Sequence, residues 1–184
     1  MKKILYFIQL PPPIHGVSTI NKQVFESSKI NENIVKKLVL INFSKSLSEL
    51  NKITLKKIFL LISLWCKLFC NLISFKPQYI YYSLPPIGLG FYKELPNLIT
   101  IKLFGIIPIF HLHGKGIENK ITTALKKNIY KYCFSNSIVL HLSKGLCNSE
   151  FKNIKLKNTF FYPVANGIAI VDIKRNRIDT STIE

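Results

Sequence analysis

Apolar positions along the chain fall into short runs separated by longer, amphipathic stretches. The short runs predict six β-strands, at 3–10, 34–41, 78–83, 107–112, 137–142 and 158–163. The longer stretches between them carry the spacing typical of α-helices. Because strands alternate with helices, the sequence predicts an α/β fold with a parallel sheet that is covered by helices on both faces.

Three of the helices can be described more closely. One follows Gly16, and one begins at an N-cap, Ser143, and ends near Phe151. The clearest occupies 119–134, where one face is apolar and the other carries lysines. The apolar face of the first helix comprises Val17, Ile20, Val24 and Phe25, and that of the helix at 119–134 comprises Ile121, Ala124, Leu125, Ile129, Tyr132 and Cys133.

The segment from Leu55 to Phe75 is almost continuously apolar and approaches the length of a membrane span. Lys67 and Asn71 interrupt it, and a lysine at the centre of a span costs roughly 2.5–3.5 kcal/mol on insertion. We therefore favour a buried or half-buried crossover helix. A helix lying in the plane of a membrane surface ranks second, and a true span third.

The charge of the chain indicates an anionic partner. Its 184 residues, 48% of them apolar, suit about one globular domain with a formal net charge of +17. Nucleic acid and an anionic membrane surface are the two candidates. Because Arg175 and Arg177 are the only arginines and neither an RNP-like aromatic motif nor zinc-finger spacing is present, the membrane surface is favoured.

The cysteines indicate a reducing compartment. Cys66, Cys70, Cys133 and Cys147 lie in apolar or helical contexts, and none of them forms a Cys-x-x-Cys pair. We expect buried, reduced thiols in a cytosolic protein. The apolar run at 4–10 is at the short limit for a signal peptide, ends in three prolines and is followed by no small-residue cleavage site, so we predict no secretion signal.

Two histidine-bearing turns follow predicted strands. Three prolines stop the first strand before His15, and Gly16 opens a helix whose N-terminal amides favour anions. The fourth strand ends in His111, His113 and Gly114, and alternation puts both histidines on one face. Since carboxyl ends of parallel strands share an edge, we expect both turns to contribute to one ligand site.

The third strand leads into a Pro- and Gly-shaped loop that contains Gly88, expected over the same edge; an ordinary turn is an equal alternative. Gly88-Leu89-Gly90 lacks the third glycine of a dinucleotide fingerprint, so a nicotinamide or flavin site is rejected. No aspartate precedes Asp172, and therefore no Asp-x-Asp metal site and no aspartate-based hydrolytic triad are expected.

In order along the chain, four motifs resemble the N-terminal half of bacterial GT-B glycosyltransferases. They are Pro-Pro-Pro-x-His-Gly at 11–16, Tyr-Ser-x-x-Pro-x-Gly-x-Gly-Phe at 82–91, His-x-His-Gly at 111–114 and Pro-Val-x-Asn-Gly-Ile at 163–168. The set is most similar to the retaining group-1 (family four) enzymes of capsular and cell-surface polysaccharide assembly. This resemblance implies two Rossmann-like domains that face a cleft.

The resemblance assigns 1–169 to the N-terminal, acceptor-binding domain. His113 matches the histidine beside the reacting sugar and is the expected catalytic residue. His15 and Gly16 match the loop near the donor diphosphate. Gly88, His111 and Gly114 complete the expected substrate site, and neither a metal nor another cofactor is expected. The residues at 170–184 read as a linker or tail, and the Glu-x7-Glu segment of a donor domain has no counterpart.

The expected reaction is sugar transfer from a nucleotide-sugar to a membrane-associated, lipid-linked saccharide in cell-surface polysaccharide synthesis. We expect a cytoplasmic chain, peripheral at the inner face of the membrane and inactive alone, with a separate chain as one possible source of the donor domain. The alternative is a non-catalytic remnant or a membrane-surface binding module.

Overall fold

The computed structural model describes residues 1–41, 55–165 and 167. The strands are β1 (Lys2–Ile8), β2 (Ile34–Leu40), β3 (Tyr79–Tyr82), β4 (Ile107–Leu112), β5 (Ser137–His141) and β6 (Thr159–Pro163). The helices are α1 (Gly16–Glu26), α2 (Ser28–Asn31), α3 (Leu55–Phe75), α4 (Gly88–Tyr92), α5 (Leu95–Leu103), α6 (Ile117–Lys120), α7 (Ala124–Phe134) and α8 (Lys144–Phe151). The predicted tail at 170–184 lies outside the described residues, as does Asn166.

The six strands form one parallel sheet in the order β2-β1-β3-β4-β5-β6. The direction of strand addition reverses at β1, so the switch point of the sheet lies between β1 and β3. In open α/β sheets, ligands bind beyond the carboxyl ends of the strands at such a point. The predicted α/β, Rossmann-like parallel sheet is confirmed.

Helices cover both faces of the sheet, but unequally. The larger apolar core lies between the sheet and the helices from α3 to α8, and it includes Phe7, Tyr82, Phe110 and Phe134, all with no exposed surface. The smaller cluster lies on the other face, where Tyr6, Ile8 and Tyr81 pack against α1 side chains. The sheet therefore receives most of its apolar cover from one side.

The strands are shorter than predicted at several ends. β1 stops at Ile8, two residues before the predicted end, and Gln9 and Leu10 are already irregular backbone. The helix predicted at 119–134 is divided into α6 and α7 by an interruption at 121–123. The predicted apolar face of that helix was wrong for Leu125 and Tyr132, which are 71% and 48% exposed, whereas Cys133 is buried and Ile121 and Ile129 pack against the core. The residues that α7 buries are Tyr130, Cys133 and Phe134.

Helix α3 crosses from β2 to β3, as expected, but only one stripe of it is buried. Leu64, Leu68 and Leu72 contact the core, whereas 17% of the 18-residue window Ile58–Phe75 is buried in total. By length and mean hydropathy (2.0) this window is able to cross a membrane. The prediction that all four cysteines are buried was wrong for Cys66 and Cys70, which lie on exposed parts of α3.

Candidate functional site

A cavity of about 280 Å³ opens beyond the carboxyl ends of the strands, beside the switch point. We call it the strand-end cavity. Segments at or after four strands line it: Gln9, His15 and Val17 after β1; Ile41 after β2; Tyr82, Ser83, Leu84, Pro85, Pro86, Lys93 and Glu94 from β3 onward; and His113 and Gly114 after β4. Its position follows from the topology of the sheet.

The loop after β1 holds His15 in a fixed orientation. His15 is the N-cap of α1, and its Nδ1 accepts the backbone N–H of Ser18 at 3.2 Å. The Ser18 hydroxyl in turn accepts the His15 N–H at 3.0 Å, which completes a capping box. Because Nδ1 is an acceptor, the neutral ring carries its proton on Nε2. His15 therefore offers an N–H donor to a ligand.

Two histidines meet at the end of β4. The ring centroids of His111 and His113 are 4.0 Å apart, and the Tyr81 hydroxyl lies 2.5 Å from His111 Nδ1. Burial, with the neighbouring His113 and His141, lowers the pKa of His111 to about 4. His111 is thus a neutral imidazole that packs against the ring of His113.

The loops after β3 and β4 approach each other closely, and glycines make this possible. A Cβ on Gly114 would lie 3.3 Å from Pro86 Cγ, and one on Gly116 would lie 3.3 Å from Ile87 Cδ1. The backbone of Gly116 also has a φ of +115°, a conformation that side chains disfavour. The Tyr130 hydroxyl donates to Pro86 O at 3.0 Å and anchors the facing loop. This packing fixes the distance between two walls of the cavity.

A buried carboxylate also lines the cavity. Glu94 is 2% exposed, and its Oε2 accepts hydrogen bonds from the Tyr82 hydroxyl and from Asn97 Nδ2, the latter at 2.8 Å. Lys93 Nζ lies 3.6 Å from Glu94 Oε1. Burial, followed by the charge of Glu94, raises the pKa of Tyr82 well above its ordinary value, so this phenol remains a donor.

Sequence reasoning missed Lys93, Glu94 and Ser83. Ser83 directly follows β3, so strand-end position was a usable signal for it. Glu94 stands twelve residues after Tyr82, and only the turn made by α4 returns it to the end of β3. No local sequence pattern marks that return.

The structure brings some of the predicted site residues together and separates others. His15, His113 and Gly114 line the strand-end cavity. Gly16 is the first residue of α1 and lies between two lining residues in sequence. His111 packs against the ring of His113 and is not itself a lining residue. Gly88 begins α4 with a φ of +70° and is not among the lining residues. Within the described ranges, no cluster of histidine, cysteine or acidic side chains is arranged to hold a metal ion.

The chain was compared with known proteins in three ways. No protein-family profile matches it, and no curated protein matches it. Among solved structures it is similar to MurG from Acinetobacter baumannii, with 12% sequence identity and a TM-score of 0.37 over 79% of this chain. The match covers 42% of the MurG chain, so this chain spans less than half of the length of that protein.

Proposed function

We propose that this chain is the acceptor-binding half of a GT-B-type glycosyltransferase. It would act in sugar transfer from a nucleotide-sugar to a membrane-associated saccharide during cell-surface polysaccharide synthesis. The observation that supports this proposal most strongly is the convergence of the two histidine turns. His15 and His113 come from loops nearly 100 residues apart in sequence, yet both line the strand-end cavity at the switch point of the sheet.

The size and chemistry of the cavity suit part of a sugar substrate. Its volume of about 280 Å³ lies just below the range of roughly 300–1,000 Å³ typical of complete small-molecule sites. One ring of a saccharide fits that volume better than a whole nucleotide-sugar. The wall mixes apolar residues with hydroxyl, imidazole, ammonium and carboxylate groups, which is the combination that a ring with several hydroxyls requires.

In this proposal His113 hydrogen-bonds the sugar undergoing transfer, and His15 with the N-terminus of α1 lies nearest the donor diphosphate. Residues that hold the nucleotide would come from a second Rossmann-like domain facing the same edge. The reaction requires both walls of the cleft, because transfer depends on the relative positions of donor and acceptor. Transferase activity is therefore expected only where both domains are present.

Helix α3 supports a location at the membrane surface. Opposite its buried stripe it exposes a second apolar stripe, which comprises Leu55, Ile58, Phe59, Ile62, Phe69 and Ile73. A helix with one apolar stripe in the core and another in solvent suits contact with the outer region of a bilayer. The net charge of +17 would favour anionic lipids, as at the inner face of a bacterial membrane.

The proposal is tested by deleting the gene in its own cells and analysing the surface glycans. We expect one polysaccharide to be lost or shortened, and expression of the wild-type chain to restore it. His113→Ala should fail to restore it, because a group that contacts the reacting sugar is missing. Tyr132→Ala is the control, since Tyr132 is 48% exposed on α7 and lies outside the cavity.

Unchanged surface glycans in the deletion cells would contradict the proposal. Full restoration by His113→Ala would remove the role of that residue. Circular dichroism of the purified variants checks that both are folded. A His113→Gln variant, which keeps a polar side chain in the cavity, serves if the alanine variant is unstable.

A non-catalytic membrane-surface module is the second candidate, and the exposed stripe of α3 favours it. The test is co-sedimentation with phosphatidylglycerol vesicles and with phosphatidylcholine vesicles. We expect binding to the former, and a reduction by Phe59→Ser, since Phe59 is 71% exposed. Phe160→Ser is the matched control because Phe160 is 61% exposed on β6, the opposite edge strand from β2. Membrane binding together with unchanged glycans in the deletion cells would favour this second candidate.

A further inference from the structure

We propose that Glu94 determines the specificity of the strand-end cavity by accepting hydrogen bonds from the hydroxyls of an uncharged saccharide ring. The inference rests on the proposed function of that cavity, and it adds both a residue and a class of ligand. It makes the cavity selective for neutral sugars over sugars that carry a carboxylate or a phosphate.

The burial of the Glu94 carboxylate is the first feature that points to such a ligand. Removing a carboxylate from water is costly unless hydrogen bonds and opposite charge compensate it. Glu94 is 2% exposed in a chain that has 9 acidic and 26 basic residues. Its contacts include three different side chains, and it still lies on the cavity wall. A side chain that only filled space at this position could be apolar, such as leucine, and would not need these polar partners.

The hydrogen bonds among the described residues leave acceptor capacity on the Glu94 carboxylate. An ionised carboxylate has about four lone-pair sites. Tyr82 and Asn97 both donate to Oε2, whereas Oε1 faces Lys93 Nζ at 3.6 Å, which is longer than a hydrogen bond. The acceptor sites of Oε1 therefore lie next to an ammonium donor. Neighbouring ring hydroxyls, each of which donates and accepts, match this pair of groups.

A hydroxyl on the wall of the same cavity points to the same class of ligand. Ser83 lines the same cavity, and its Oγ is buried without a hydrogen-bond partner among the described residues. Leaving a buried hydroxyl unpaired costs about 1–3 kcal/mol, so a ligand that supplies the missing bond gains affinity. A carbohydrate hydroxyl supplies either a donor or an acceptor. The two observations on Glu94 and Ser83 are independent and point to the same chemistry.

The carboxylate also defines what the cavity excludes. Uronic acids and sugar phosphates carry groups that only accept hydrogen bonds and that repel a carboxylate. In a buried site this repulsion is poorly screened by salt. Lys93 and His15 offer donors, but a negatively charged ligand group beside Glu94 would leave two acceptors facing each other. The net charge of the chain alone predicts the opposite preference.

The test is titration of the full chain by NMR with methyl glucoside, methyl galactoside, methyl mannoside and methyl glucuronide. We expect at least one neutral glycoside to bind about tenfold or more tightly than the glucuronide. Glu94→Gln should weaken binding of the neutral glycoside about tenfold, the usual contribution of a charge-assisted hydrogen bond. It should also reduce or abolish the preference for the neutral glycoside over the glucuronide.

Glu26→Gln is the matched control. It removes the same charge, but Glu26 is 62% exposed in its side chain on α1, where it pairs with Lys22 at 4.0 Å. Ser83→Ala is a second variant, and it removes a hydroxyl that has no hydrogen-bond partner among the described residues, so the fold should tolerate it. It should weaken glycoside binding several-fold. Deoxy glycosides identify the hydroxyl: if Glu94 contacts it, the losses from Glu94→Gln and from the deoxy group are not additive.

The inference is overturned if no neutral glycoside binds, if the glucuronide binds best, or if Glu94→Gln and Glu26→Gln behave alike. These outcomes are separate from the fate of the proposed transferase. Loss of a surface polysaccharide in deletion cells, with no glycoside binding, overturns the inference alone. Glycoside binding that depends on Glu94, with unchanged surface glycans, overturns the transferase and leaves a saccharide site.

Discussion

Acidification should destabilise the fold through His111. This imidazole is 2% exposed and faces the Tyr81 hydroxyl, His113 and His141. Burial and the two neighbouring histidines lower its pKa from the ordinary 6.5 to about 4. Between these two values the unfolded chain binds a proton that the folded chain does not. Stability therefore rises with pH across this window and is lost as the pH falls from about 6.5 to about 4.

The size of the loss follows from the shift in pKa. Each unit of pKa corresponds to about 1.4 kcal/mol, so the shift of His111 amounts to about 3 kcal/mol at about pH 4. That is a large share of the roughly 5–15 kcal/mol by which a domain is usually stable. The pKa of His141 is also lowered, mainly by burial, and it adds to the loss in the same direction.

The assay is urea unfolding at several pH values between about 7 and 4, followed by the fluorescence of Trp65. The wild type is compared with His111→Gln, which cannot titrate but can still accept a hydrogen bond from Tyr81. Carboxylates and His141 titrate in both proteins, so the difference between the two proteins in how steeply the free energy of unfolding changes with pH isolates His111. We expect the wild type to lose about 3 kcal/mol more than the variant over this range. If the free energies of unfolding of the two proteins fall equally with pH, His111 is not the source of the acid destabilisation.

Three further changes test the packing around the site by the free energy of unfolding in urea. Phe91→Ala should cost about 3–5 kcal/mol, because Phe91 is fully buried and its ring stacks on that of Tyr130 with the centroids 4.4 Å apart. A smaller loss would mean that the surrounding core relaxes into the space that the ring leaves. Glu150→Ala should cost about 1–3 kcal/mol, since Oε2 accepts two amides at the start of α6, at 2.7 and 2.5 Å. Thr123→Ala should cost about 1 kcal/mol by uncapping α7, whereas Thr122→Ala, which leaves the cap intact, should cost little.

The strand-end turns were predictable because their signals are local. Consecutive prolines end a strand wherever they occur, and a glycine after His15 permits a new direction. Once the sheet is taken as parallel, the carboxyl ends of β1 and β4 must lie on one edge. The arrival of His15 and His113 at one cavity needed no knowledge of side-chain packing.

The helix faces and the buried carboxylate were less accessible to sequence reasoning. Leu125 and Tyr132 continue the apolar spacing of Ile121, but the helix is interrupted at 121–123 and both side chains are exposed. The buried residues of α7 are Tyr130, Cys133 and Phe134, of which the spacing identified only Cys133. Glu94 depends in the same way on how α4 and α5 are joined. Periodicity gives the spacing within one element and not the angle between two.

The glycines of the two facing loops offer a stricter test of how the cavity is built. Gly114→Ala places a methyl group 3.3 Å from Pro86 Cγ, tighter than most contacts, on the wall of the cavity. Pro86 is held by Tyr130, so the strain should move the end of β4 with His113. Gly145→Ala in α8 is the matched control, because Gly145 does not line the cavity and the nearest atom to its methyl group is Ser143 Oγ at 3.9 Å, an ordinary contact. Alanine there should be neutral or stabilise by about 0.4–1 kcal/mol. In the glycoside titration, Gly114→Ala should weaken binding several-fold while urea unfolding changes by about 1–3 kcal/mol at most. If the two variants bind glycosides equally well, the close approach of the loops does not shape the cavity.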